Sequence, residues 1–243
     1  MPSVLNTAIL KEEFGIENDV NRLFIGVDYE SMNPVALQWS TNNILALSGQ
    51  ESNGRKNFLS YLLHEIAKVN GKLFVIDDGN GELAYTKEMA VTELYTKSVT
   101  DVAELLARVD QYLTERYNAR MIGELLGDML VPIVLLVQNR EVLGYVDKDK
   151  SLLSMMEDIT SKYAGLNGVI VFSNLENEAV GYKSPAILKS LYKAMSFMLF
   201  EDVDKIKIFS ITSDERRRFA RQLQTDEVYY SVGEGIMKLK MVK

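Results

Sequence analysis

Ile44-Leu45-Ala46-Leu47-Ser48 runs into Gly49-Gln50-Glu51-Ser52-Asn53-Gly54-Arg55-Lys56-Asn57, after which Phe58, Leu59, Leu62, Leu63 and Ile66 recur at helical spacing. The first run is short, apolar and closed by glycine, the pattern of a buried strand. The last is one face of an amphipathic helix over about residues 55–69. Strand, glycine-bounded loop and helix in that order are the setting of a phosphate-binding loop, G-x-x-x-x-G-K-[ST]. Gly49 and Gly54 have its separation, and glycine there lets backbone N–H groups converge on a phosphate at the helix N-terminus. The next two positions depart from it: Arg55 stands in the lysine slot, and Lys56 in the slot of the hydroxyl that holds Mg²⁺. A chance glycine turn between strand and helix explains this stretch alone equally well, so its surroundings decide.

Leu23–Asp28 and Val35–Trp39 read as strands of a hairpin turning through residues 29–34. Lys72–Asp77 is a buried strand closed by Asp78-Gly79-Asn80-Gly81, and Val131–Val137 is the most apolar strand of the chain. Thr100 is placed to cap a helix carrying Val102, Leu105, Leu106, Val109 and Leu113 on one face. The spacing predicts a helix over Ser151–Tyr163, a strand over Gly168–Phe172 and a helix from Pro185 to about Met198. Thr212 and Glu215 form a capping box opening a short helix, and Glu227–Ser231 with Ile236–Val242 make a closing hairpin. Short apolar strands alternating with amphipathic helices imply an α/β fold: a mainly parallel sheet flanked by helices, with an N-terminal and a C-terminal antiparallel hairpin. Residues 1–20 read as an entry arm or linker, and residues 21–243 as a single domain.

The composition narrows the function. Lys and Arg number 27 against 34 Asp and Glu, a net charge of −7, which argues against a general nucleic-acid binder. With no cysteine, a thiol nucleophile, a disulfide framework and a cysteine-held metal are excluded. The single histidine, His64, leaves no room for a multi-histidine metal site. No apolar run reaches the ~18 residues of a membrane span, and the N-terminus lacks the pattern of a signal peptide. The expectation is a soluble intracellular polypeptide that a larger, membrane-anchored protein can contain as one piece.

Ile25-Gly26-Val27-Asp28, Pro34–Leu37 and Asn43–Leu59 together resemble the FtsK/SpoIIIE family of P-loop ATPases. Gly71–Leu83 is similar to that family's next strand and glycine turn, and Gly165–Asn174 to its later sensor strand, with Ser173-Asn174 where Thr-Gln is usual. Phe200–Lys240, with Tyr229-Tyr230 and the final hairpin, resembles the last ATPase module of the membrane ATPase of type VII (ESX/Ess) secretion systems. The resemblance implies a P-loop (RecA/FtsK-like) fold. It also implies a position on the cytoplasmic face of a bacterial cell membrane, at the end of a membrane-anchored chain that exports small helical-hairpin proteins. The implied partners are neighbouring ATPase modules of the same chain and those secreted proteins, with no nucleic acid and with membrane only through the parent protein.

The family's Walker B acids follow the strand represented by Ile133–Val137, where this chain has Gln138 and Asn139. One acid helps hold Mg²⁺ and the other activates the attacking water; amides supply neither charge nor base. Lys56 would repel the metal, and Arg55, planar and bulkier, is no equivalent of a lysine. The expectation is therefore a degenerate Walker A loop (Gly49, Gln50, Glu51, Ser52, Asn53, Gly54, Arg55, Lys56 and Asn57), no active catalytic residue and no metal site. No cofactor is required, and residual ATP binding should be weak and independent of Mg²⁺. An ATPase completed by a neighbouring module is the alternative, with a DNA translocase module behind it. Leu73–Asp78 mimics a Walker B strand but comes too early, and its acids suit a turn. His64 reads as a surface or core histidine, and Trp39, Met155 and Met156 as core or interface residues. Arg216, Arg217, Arg218 and Arg221 read first as a solvated or internally paired face, then as a module contact, and last as a nucleic-acid site.

Overall fold

Four runs are buried at every position: β3 (Ile44–Ser48), β6 (Ile133–Val137), β7 (Gly168–Phe172) and β8 (Met195–Leu199). The strand β4 (Lys72–Ile76) is buried at all positions but Lys72. Strands with no polar face must be covered on both sides, as in parallel sheets. The computed structural model, which describes residues 4–41, 43–49, 54–175, 184–208, 211–232 and 235–243, arranges them so. With β1 (Arg22–Asp28), β2 (Pro34–Gln38), β5 (Thr92–Thr96), β9 (Glu227–Val232) and β10 (Met237–Met241), they form one ten-stranded sheet in the order β2-β1-β10-β9-β8-β3-β7-β6-β4-β5. From β8 to β5 the pairing is parallel, and from β8 back to β2 it is antiparallel.

Alternation along each strand divides the core in two. Ile44 and Ala46 face a cluster with α3 (Val102–Met121) and α5 (Lys150–Thr160), whereas Leu45 and Leu47 face one with α2 (Arg55–Lys68). The second cluster also takes in Leu5 and Leu10, the latter on α1 (Thr7–Phe14), a helix capped by the Asn6 side chain and ended by Gly15 at φ 66°. The Lys243 N–H donates to the Leu5 carbonyl at 3.0 Å, so the two ends of the described chain meet. No helix among the described residues is long and apolar enough to cross a membrane.

Several expectations need correction. The helix starting at Ala186 stops at Leu191, and after one turn Met195–Leu199 is a strand, held between β3 in parallel and β9 in antiparallel register. Its apolar residues serve two faces, which a helical reading mistakes for one. The cap before α3 is Ser98, whose side chain accepts from the Thr100 N–H, and a single 3₁₀ turn over Val99–Asp101 precedes the helix. The strand β5 and the helix α4 (Glu141–Val146) were not expected. The two terminal hairpins are one flank, because β1 pairs with β10.

A buried ion network ties that flank together. The Glu227 side chain, 1% exposed, accepts from the Tyr29 hydroxyl at 2.7 Å, the Gln224 N–H at 3.0 Å, Lys238 at 2.7 Å and Arg221. Asp226 accepts from Lys240 at 2.6 Å. Burial alone would raise the Glu227 pKa, but Lys238, the Gln224 amide and Tyr29 outweigh it and hold it below the usual carboxylate value. A depressed folded pKa stabilises the fold above the unfolded glutamate's pKa, and this stability is lost as pH falls through the folded value. The wild-type advantage over Glu227→Gln in urea unfolding is expected to be about 3 kcal/mol at neutral pH. It should vanish in strong acid; an advantage that persists there would exclude the charge as its source.

Candidate functional site

Parallel pairing brings the C-terminal ends of β3, β4, β6, β7 and β8 to one edge, where such folds bind ligands. Gly49 leaves β3 at φ 117°, and a Cβ there would sit 2.9 Å from the Phe200 carbonyl carbon and from Glu201 Cγ. Gly54 opens α2 at φ 93°, and a Cβ there would lie 2.5 Å from the Thr225 carbonyl oxygen. Both positions thus demand glycine for the chain's own packing. Gln50, Glu51, Ser52 and Asn53 lie outside the described residues.

Arg55 is buried, 8% exposed, and points across the edge. Its Nη1 donates to the Ser173 carbonyl at 2.6 Å and to Asn174 Oδ1 at 3.0 Å, both just past the end of β7. Lys56 and Asn57 are exposed on the first turn of α2. Gln138 and Asn139 follow β6 and are also buried, at 4% and 9%. Gln138 Nε2 donates to Glu82 at 2.9 Å while its Oε1 accepts from the Ser173 hydroxyl. Asn139 Oδ1 accepts from the Glu141 N–H at 2.9 Å, a local turn that leads into α4. Arg55, Lys56, Glu82, Tyr85, Gln138 and Ser173 are among the residues lining a cavity of about 20 Å³. That is room for about one water, against the ~300 Å³ or more of ordinary ligand pockets.

The family resemblance put Arg55, Lys56, Gln138 and Asn139 at one site, without Ser173 or Glu82. The sequence signal of Glu82 was an acid directly after the glycine turn that follows β4. Mg²⁺ selects anionic and neutral oxygens in an octahedron. A guanidinium, an ammonium, two amides and one carboxylate already accepting from Gln138 are a poor fit to that ion. Asp77, at the mimic of a Walker B strand, is fully buried and accepts from the Tyr95 hydroxyl at 2.5 Å, the Leu83 N–H at 3.1 Å and the Asp78 N–H at 2.8 Å. Its carboxylate organises the glycine turn. The Asp77 charge and burial together push the Tyr95 phenol pKa upward, burial being the larger cause.

His64 is exposed on α2, Trp39 and Met156 are buried, and Met155 packs partly buried against the core. In the arginine cluster, Arg218 pairs with Glu30 and Arg221 with Glu227, while Arg216 reaches Asp204 at 3.4 Å and Arg217 reaches Asp214 at 4.0 Å. This is the internally paired face.

No family model matches the chain, and no curated protein matches its sequence. Solved structures do match it over its full length. The cytoplasmic domain of EssC has a TM-score of 0.75 at 18% identity, with 100% of this chain and 48% of that one covered. EssC ATPases 2 and 3 from Geobacillus thermodenitrificans give 0.74, 18%, 100% and 45%. The cytoplasmic domain of the Thermomonospora curvata type VII secretion ATPase EccC gives 0.67, 16%, 100% and 28%. EccC ATPases 2 and 3 from that organism, in complex with a signal sequence peptide, give 0.66, 16%, 100% and 43%. The chain therefore has the α/β P-loop fold of the EssC and EccC ATPase domains, and it spans about half the length, or less, of those structures.

Removing the Arg55 guanidinium leaves the Ser173 carbonyl without this donor. Arg55→Ala is expected to lower stability by about 1–3 kcal/mol in urea unfolding. An unchanged midpoint would mean that Arg55 spends its time in solvent, available to a phosphate.

Proposed function

We propose that this chain, which has the fold of the EssC and EccC ATPase domains, is a degenerate, non-hydrolysing ATPase-like module of a type VII protein secretion motor. The observation that carries the reading is the commitment of Arg55 to the Ser173 carbonyl at 2.6 Å, next to a Gln138 amide where a metal-holding acid would stand. The cation that would meet a γ-phosphate is spent inside the chain, and the carboxylates that hold Mg²⁺ and activate water are amides. What remains is surface. The module assembles with neighbouring ATPase modules of its parent chain and helps dock exported helical-hairpin proteins. Its place is the cytoplasmic face of the membrane, within an anchored protein. Two-ATPase structures of EssC, and the EccC structure with a signal sequence peptide, support both roles in general terms. No cofactor is required; residual ATP binding is weak and does not need Mg²⁺, because the positive charge at residues 55 and 56 partly replaces it, though Arg55's contacts inside the chain keep the effect small.

The purified chain is expected to show no Mg²⁺-dependent ATP turnover above background in a phosphate-release assay. In the parent protein, deleting the domain should stop or redirect export, whereas Arg55→Ala should leave export nearly intact. Turnover that disappears in Arg55→Ala, or loss of secretion with the domain still folded, would replace this reading with that of an ATPase completed by its neighbour.

A further inference from the structure

We propose that Glu82 is a built-in counter-anion that keeps polyphosphates away from Arg55 and Lys56, a reading that rests on the degenerate module described above. Glu82 lines the same small cavity as Arg55 and Lys56, the two cations a phosphate would seek. Its carboxylate accepts from Gln138 Nε2 at 2.9 Å. A Walker B aspartate or glutamate at residue 138 would put like charges at that distance, which is costly. The amide is what lets the carboxylate approach, so Gln138 and Glu82 form one device, a neutral donor beside the charge it holds in place.

The carboxylate is delivered by a rigid turn. Gly81 sits at φ 74° where a Cβ would run into the Lys97 ammonium. Leu83 on the other side is 2% exposed, and its N–H donates to buried Asp77. Asp78 Oδ1 accepts from the Asn80 and Gly81 N–H groups at 3.0 and 3.1 Å, closing the turn. Glu82 itself is exposed at the cavity's rim. There its charge stands beside the two cations that an approaching triphosphate would seek.

The test compares wild-type chain with Glu82→Gln, which keeps the shape, Glu82→Ala, which removes it, and Glu88→Gln, which removes an exposed charge elsewhere. Inorganic tripolyphosphate is titrated by calorimetry in a chelator at low salt. Glu82→Gln and Glu82→Ala should bind about tenfold tighter than wild type or more, since like-charge contacts cost on the order of kcal/mol. The gap should narrow as salt screens the charge, and Glu88→Gln should match wild type. Equal affinities across the set, or an equal gain in Glu88→Gln, would overturn the proposal. So would Mg²⁺–ATP binding by wild type that is lost in Glu82→Gln, which would make the carboxylate a metal ligand. Mg²⁺-dependent turnover by wild type would instead sink the non-hydrolysing reading, whichever way the tripolyphosphate comparison fell.

Discussion

The position of β3 governs the rest of the molecule. It lies between β7 and β8, with Leu45 opposite Val171 on one side and Ser196 on the other, and all three strands run the same way. Parallel register continues through β6 and β4, with Leu135 opposite Ile170 and Phe74 opposite Leu135. Because every one of these strands ends at the same edge, Gly49, Asp77, Gln138, Ser173 and Glu201 are neighbours although more than 150 residues separate the first from the last. The apolar content of the strands therefore determines the polar site, since burial on both faces fixes the register and the register fixes which polar residues converge.

What converges there satisfies itself. A buried guanidinium is tolerable only when its donors find acceptors, and Arg55 finds the Ser173 carbonyl and the Asn174 amide oxygen. Ser173 in turn donates to Gln138, and Gln138 to Glu82. The chain of contacts runs from the helix after the glycine loop, through two strand ends, to the turn after β4. Each bond joins segments far apart in sequence, so the network staples the edge as it fills it. A ligand that sought the Arg55 guanidinium would first have to break these contacts.

Most of the fold was legible because the parallel strands are short apolar runs. Gly168–Phe172 matched its expected range, and the capping box at Thr212 and Glu215 formed as its spacing implied. The strand β5 was not legible: it is a sheet edge, and in Thr-Glu-Leu-Tyr-Thr only Thr96 is buried, leaving no apolar run to notice. The strand β8 failed for the opposite reason. Met-Ser-Phe-Met-Leu is buried throughout, and directly after a helix such a run continues a helical pattern as readily as it starts a strand. At the site, spacing located the glycine loop and the family resemblance pointed to the amides after β6, but the partner of Arg55 is 118 residues away, a distance that no local pattern bridges. Glu82 was invisible for the same reason, since its meaning comes from Gln138, 56 residues on.

The glycines explain why the spacing of the loop answers to packing as well as to chemistry. At Gly49, Phe200 and Glu201 approach so closely that any side chain would collide, and at Gly54 the Thr225 carbonyl does the same. Both residues also have φ values that L side chains avoid, so the backbone and its neighbours each independently require glycine. Thr225 directly precedes the Asp226 and Glu227 carboxylates, whose partners Lys240 and Lys238 lie on the adjacent strand β10. The ion network of the flank therefore holds the carbonyl that covers Gly54. None of these constraints involves residue 138 or a phosphate. Glycine separation at this edge thus reports on packing against the C-terminal flank, and the chemistry of the loop has to be read from what Arg55, Gln138 and Glu82 actually touch.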